Sequence, residues 1–463
     1  MAVEDGFLPV GVSGKNLDTT VITQDDGSTQ AHREAVFLAD PEDTDARAKV
    51  TNSTPSSTDY GGLVRQIEHP ASRGAFGWLR VSAPTTLFDS KQLFDNAPLY
   101  WDDQEVSGGG TTSVHSTLKA SSTLGVALNT AGKRVRQTFQ RFNYQPGKSQ
   151  LVMMTGNIGD SGGGSGIDAG MGLYNGTDGV AVRSVDGVLQ LFVSSGVSGS
   201  VVEDSVSQGS FNGDNLDGTG PSGLTLDPTQ TQIWWMDMEW LGVGTVRTGF
   251  VINGEFILCH SFHHANLVGN VYMSTPNLPL RYWLENDGTG AATTLQHICS
   301  TVISEGGVER IGNLHYHSTE GTHIDADTAN TLYAVVGIRL QAAKIGQVVD
   351  LTNISLINAA ADDFEWIVMW NPTVVGTFTY TDHVNSAIQT AVGATANTVT
   401  GGHEMNGGFV KSGNTTGSIS VEISNALRLG AAIDGTLDEI VLCVRPLTNG
   451  ADIDGGVSWR ELV

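Results

Sequence analysis

Positive charge is the scarcest property of this chain. Lys and Arg total 24 of 463 residues against 49 Asp and Glu, so the formal net charge is −25. That balance excludes a general phosphate-neutralising surface, so neither nucleic acid nor an anionic membrane is an expected partner. Cysteine is also rare. Cys259, Cys299 and Cys443 are odd in number and far apart. They predict buried free thiols, not a disulfide scaffold, and fit folding in a reducing cytoplasm. No apolar run is long enough to span a bilayer, so membrane insertion is not expected. The start, Met1-Ala2-Val3-Glu4-Asp5, lacks the basic-then-apolar pattern of a secretory leader. Capped segments of helical period are few, and only His383–Val392 reads as a short helix.

What remains is β pattern and glycine, with 58 Gly in the chain. At ~150 residues per domain, roughly two to four domains are expected. Residues 1–75 place apolar residues singly between polar pieces, with a Ser, Thr and Asn-rich stretch from Thr51 to Asp59. This composition fits either a disordered leader or an extended arm ordered by a neighbouring subunit, and the arm is the preferred reading. Residues 76–305 read as a concanavalin-like antiparallel β-sandwich or jelly roll. Val180–Arg183 and Val188–Val193 flank Asp186-Gly187, and Arg247–Ile252 and Glu255–His260 flank Asn253-Gly254. The first pair of runs encloses a turn containing Asp186-Gly187, and Asn253-Gly254 is a strong two-residue hairpin signal. Residues 306–463 predict a second β-sandwich, with strands at Leu332–Leu340, Phe364–Trp370, Gly376–Thr381, Ser418–Ser424 and Glu439–Arg445. The fold class expected is all-β, two sandwich or jelly-roll domains behind an extended N-terminal arm.

The segment Gln232–Trp240 reads Gln-Ile-Trp-Trp-Met-Asp-Met-Glu-Trp. Side chains alternate in a strand, so Trp234, Met236, Met238 and Trp240 share one face. Four large apolar groups there predict an inner sandwich wall. Trp235, Asp237 and Glu239 fall on the other face and are candidate glycan or interface contacts. Trp235-Met236-Asp237-Met238-Glu239 resembles the Glu-x-Asp-x-Glu strand of sandwich-fold β-glucanases. Asp237 and Glu239 match the last two acids, but Trp235 stands where the nucleophile would be. Retaining hydrolysis needs both a nucleophile and an acid/base carboxyl, so no catalytic residue is assigned and an enzyme is not expected.

Other motifs are weaker. Gly159-Asp160-Ser161-Gly162-Gly163 resembles the serine motif of chymotrypsin-like proteases, but the context of His115 does not supply the base. His260, His263 and His264 cluster, as do His315 and His317, without a recognisable zinc spacing. His403-Glu404 lacks the second His of a zinc-protease helix. Asp214, Asp217, Asp452 and Asp454 sit in Gly-rich loops and read as turn chemistry more than calcium ligands. No nucleotide-binding glycine loop is present. The expectation is no cofactor and no metal.

Several blocks are similar to structural proteins of tailed bacteriophages. They include Arg136–Ser149, Leu224–Thr229, Tyr272–Tyr282, His297–Gly307 and Asp438–Leu447, and Gly14–Thr20 resembles phage leader sequences. The resemblance implies a virion component of collar, fibre, capsid-decoration or baseplate type, assembled in the host cytoplasm. Its partners would be capsid, neck or tail proteins, reached through the N-terminal arm. A symmetric homo-oligomer, with a trimer as first guess, is implied as well. The alternative is a virion protein that recognises a bacterial surface glycan.

Overall fold

Alternating apolar residues set the architecture. In the strand Ile167–Tyr174, Ile167, Ala169, Met171 and Leu173 point inward, while Asp168, Gly170, Gly172 and Tyr174 point outward. The same period recurs in Gln150–Gly156, where Val152 and Met154 face the core and Leu151, Met153 and Thr155 alternate with them. The computed structural model describes residues 83–158, 164–360, 362–411 and 428–462. It also describes the backbone of short strands at Asp5–Val10, Lys15–Thr23, Gln30–Ala35 and Gly417–Ile419. The first three of these form a small antiparallel meander by themselves. The rest of the expected arm lies outside the described residues, as do Gly159–Gly163 of the protease-like motif.

The described chain is all-β, with antiparallel sheets and only two short 3-10 turns. Two sheets make the first sandwich. A seven-stranded sheet runs Val202–Ser207, Val188–Ser195, Gly179–Val185, Ile167–Tyr174, Leu280–Asn286, Gly132–Thr138 and Trp101–Gly108. The facing sheet runs Glu255–Phe262, Val246–Ile252, Gln232–Met238, Gln150–Gly156, Thr293–Ser304, Ser121–Val126 and Thr111–Ser116, with Thr85–Lys91 also on Thr293–Ser304. One continuous apolar core fills the space between them, including Met154, Met171, Leu173, Val182, Leu191, Trp234, Met236, Tyr282 and Leu295.

Trp234, Met236 and Met238 are fully buried on that inner wall, as the alternation requires. The Trp234 indole N–H also finds a partner, donating to Thr248 Oγ1 at 2.8 Å. The strand stops at Met238, two residues short of expectation. Trp240 sits past its end, still packed on the core, with its indole N–H donating to the Met273 carbonyl at 3.2 Å. The predicted turn and the predicted hairpin both form, each joining two antiparallel strands. Asp186 and Gly187 have φ of 52° and 77°, and Asn253 and Gly254 have 54° and 84°. These left-handed pairs match the twist of the flanking strands.

The second sandwich pairs a six-stranded sheet with a smaller one built around Ala451–Leu462 and Val349–Asn358. Phe364, Trp366, Val368 and Trp370 share its core with Trp459, Ile338 and Leu442. Two local expectations fail here. His383–Val392 is not a helix. Asn385 adopts φ 57°, which breaks the segment into a turn, and Ile388–Val392 pairs as a strand with Tyr333–Leu340. That non-local pairing buries Ile388 and overrides the local pattern. Of Gly376–Thr381, only Thr381 joins a strand, in the short Thr381–Asp382 element.

The two sandwiches touch directly. The Phe139 ring meets Trp370 edge-on at 5.4 Å. Ile433 N–H donates to Asp102 at 2.7 Å, and Asn277 donates its side-chain amide to the Gly346 carbonyl at 3.0 Å.

Candidate functional site

Two outward faces of the first sandwich compete for a role. The first carries the residues singled out from sequence. Trp235 and Asp237 do share an outer face of the strand Gln232–Met238, opposite Gly249 and Arg247 on the next strand. Trp235 is nonetheless buried, with Phe256 against it edge-on at 5.4 Å. Asp237 is buried too and is gripped by Arg247 through both guanidinium Nε, at 2.8 Å, and Nη2. Burial pushes the Asp237 carboxyl up, and the Arg247 hydrogen bond offsets this in part. Glu239 lies beyond the strand end and is exposed. The three are therefore brought near one another, but as a covered indole, a neutralised carboxylate and a solvated one.

The second face is the outside of the seven-stranded sheet, and it holds a groove of about 350 Å³. Its floor is apolar. Val135, Ala181, Phe192 and Trp283 come from four strands of this sheet and form a separate cluster with Tyr174 and Ile433. Tyr174 meets Phe192 edge-on at 5.6 Å and Trp283 at the same distance. The indole of Trp283 lies close over Gly170, where an added Cβ would come 2.2 Å from the ring. Glycine at that position is a spatial requirement of the floor.

Charged groups form the walls. Asp168 accepts from the Trp283 indole N–H at 2.9 Å. Burial pushes its carboxyl up, against the pull of that hydrogen bond. Arg183 pairs with Glu203 at 2.8 Å and stacks over Phe192 at 4.6 Å. Lys133 pairs with Glu285 at 2.7 Å. Arg281 sits over Tyr174 at 5.5 Å and donates twice to Gln137 Oε1, at 2.9 and 2.6 Å. The result is an aromatic floor inside a ring of oriented donors and acceptors. That composition suits a polar ligand with apolar faces, held by hydrogen bonds and ring contact.

None of these groove residues was singled out from the sequence. The usable signal was the alternation in Leu280–Asn286, which puts Arg281, Trp283 and Glu285 outward together. Small outward residues at Gly170, Gly172 and Ala181 leave room beside them.

The remaining motifs resolve into local contacts. Among the described residues no group of three or more His, Cys, Asp or Glu is placed to hold a metal. His264 stacks on Tyr272 at 4.0 Å and hydrogen-bonds the Gly244 carbonyl. Burial pushes His260, His264 and His317 down. His315 stacks on Trp459. His403 opens the strand His403–Val410. Asp214 accepts from Leu216 and Ser222 backbone N–H groups, Asp217 from Thr219, and Asp454 from the Thr319 hydroxyl. Burial raises the Cys259 thiol to about 12 and pushes Cys443 up as well. No helix of the described residues is long and apolar enough to cross a membrane.

No family model matches this chain, and no curated protein matches it. Solved structures match parts of it at low similarity. The CBM2 module of the Lactobacillus casei BL23 phage J-1 evolved Dit is 8% identical, over 50% of this chain and 100% of that one, with a TM-score of 0.31. The cellulose-induced protein Cip1 is 13% identical, over 46% of this chain and 96% of that one, at 0.28. A botulinum neurotoxin type C structure, described for its interaction with two ganglioside molecules, is 8% identical over 82% of this chain and 97% of that one, at 0.29. Likeness this distant assigns no activity to the chain.

Proposed function

We propose that this chain is a non-catalytic component of a tailed-phage particle whose first sandwich binds a bacterial surface glycan. The virion half of the reading rests on the sequence blocks given above. The observation that carries the binding half is the groove on the seven-stranded sheet. It combines an aromatic floor at Tyr174, Phe192 and Trp283 with Asp168, Arg183 and Arg281 at its rim. Sugar rings offer apolar C–H faces and equatorial hydroxyls, and this groove offers both complements. In this reading residues 1–75 attach the chain to capsid, neck or tail, and copies assemble as a symmetric oligomer. A glycan array probed with the intact protein tests the binding half. Retention of a defined set of glycans is expected, and a blank array removes it.

A second reading, a purely architectural particle protein, has its own observation. Phe94 and Leu118 are 87% and 99% exposed, and Val114 is exposed between them in sequence. The Gln92 carbonyl beside this stretch is bonded to the His115 ring at 2.9 Å, which ties the two segments together. An apolar surface of this kind suits a neighbouring protein. Fractionation of intact particles tests the virion half. The chain is expected to sediment with them, and its absence contradicts both readings.

A further inference from the structure

Beside the glycan groove lies a second cavity of about 550 Å³, at the junction of the two sandwiches. Arg281 and Ile433 line both. In a chain of net charge −25, the charged side chains lining this cavity are all cationic: Arg141, Arg281 and Lys344. The geometry points to an anion subsite here, which takes a carboxylate or phosphodiester group carried by the bound glycan. The inference rests on the glycan reading and names the ligand class as an acidic polysaccharide.

The three cations come from separate parts of the fold, and the fold pays to keep two of them. Arg141 and Arg281 are both largely removed from water, and burial holds each guanidinium down to about 10. They also repel one another, because Arg141 further lowers Arg281. Buried cations are ordinarily matched by a carboxylate. Here the partners are neutral oxygens. Arg281 donates to Gln137 Oε1 and, at 2.7 Å, to the Asn175 carbonyl. Arg141 donates from Nη1 to the carbonyls of Phe139, at 2.8 Å, and Ala431, at 3.2 Å. Asp438 attracts Arg141 without forming an ion pair with it, and its own carboxylate is engaged by the Asn371 amide at 2.8 Å.

Several donors are thereby left over. The Nη1 of Arg281 and the Nη2 of Arg141 make no hydrogen bond to a described residue. Lys344 lines the cavity from the second sandwich, and its ammonium donates to the Ser386 carbonyl at 2.8 Å. Guanidinium groups bind carboxylates and phosphates through paired N–H donors, and a nearby ammonium adds charge. A glycan lying over Tyr174 extends past Arg281 into this cavity, so one acidic substituent meets all three cations. The neutral part of the sugar contacts the floor, and the charge selects among glycans.

Binding is measured by calorimetry with three probes of matched length: a neutral galactan oligomer, an oligogalacturonate and a glycerol-phosphate teichoic acid fragment. One charged probe is expected to bind at least ten-fold more tightly than the neutral one, with an advantage that shrinks as salt rises. Whether the galacturonate or the teichoic fragment gains identifies the source of the anion as carboxylate or phosphodiester. Arg281→Gln and Lys344→Glu should each bring the charged probe toward the neutral affinity. Lys344 is exposed, so Lys344→Glu keeps the test valid if Arg281→Gln fails to fold. Equal affinity for all three probes overturns the anion subsite and leaves the glycan reading standing. A charge advantage untouched by both variants overturns the assignment to this cavity. No binding of any probe overturns both.

Discussion

Trp283 donates its indole N–H to Asp168 across 2.9 Å, joining two strands whose residues are 115 positions apart. The bond fixes the ring flat on the sheet and orients one carboxylate oxygen of the groove wall. Both residues belong to an outward face that the core does not need. Gly170 makes the arrangement fit, since any larger side chain meets the ring. Gly170→Ala should therefore lift the indole, cost about 1–3 kcal/mol of stability by overpacking, and weaken glycan binding. Urea unfolding together with the glycan array checks this. An unchanged midpoint and unchanged binding would show that the ring does not shape the groove.

The inner and outer indoles of one strand should behave differently. Trp234 is fully buried and hydrogen-bonded to Thr248. Trp234→Ala should cost about 3–5 kcal/mol, through lost burial and the cavity it leaves. Trp235 packs edge-on against the exposed Phe256, and its indole N–H has no hydrogen-bond partner among the described residues. Trp235→Phe, which removes that buried donor, should cost less than about 1.5 kcal/mol. Denaturant midpoints of the two variants decide the ordering.

Much of this architecture was legible because it is local. Phe364–Trp370, the inner face at Trp234, Met236 and Met238, and the hairpins at Asp186-Gly187 and Asn253-Gly254 follow from side-chain period and turn chemistry. What could not be read depends on contacts distant in sequence. His383–Val392 carries a local helical pattern, but its second half, Ile388–Val392, pairs with Tyr333–Leu340. The groove gathers Tyr174, Arg281 and Ile433 from two sandwiches, and no single segment contains its pattern. Of the two carboxylates in Gln232–Trp240, Asp237 is held in an ion pair with Arg247 and Glu239 lies past the strand end.

Acid should act on the junction through Asp438. Burial raises its carboxyl from 3.8 to about 6 in the folded chain. The folded state thus holds a proton that the unfolded chain releases between those values. This contribution to stability is present below pH 3.8 and is lost as pH rises through about 6. At 1.36 kcal/mol per pKa unit the loss is ~3 kcal/mol. Asp438→Asn should remove that slope, so its stability relative to the native chain rises between pH 4 and pH 8. Urea midpoints of both proteins at the two pH values check the sign, and a constant difference would contradict it.

The two candidate surfaces can be separated by substitution. Tyr174→Ala removes the half-buried ring under Arg281 and should lower glycan affinity at least ten-fold. Glu239→Gln changes only a solvated carboxylate past the end of its strand and should leave affinity within two-fold. The reverse pattern on the array would move the binding site to the opposite sheet.

The most direct test is a crystal structure of the protein with the best-retained oligosaccharide. Density for sugar is predicted over Tyr174 and beside Arg281, on the outside of the seven-stranded sheet. Sugar density confined to the face bearing Trp235, Asp237 and Glu239, with the groove empty, would contradict the account.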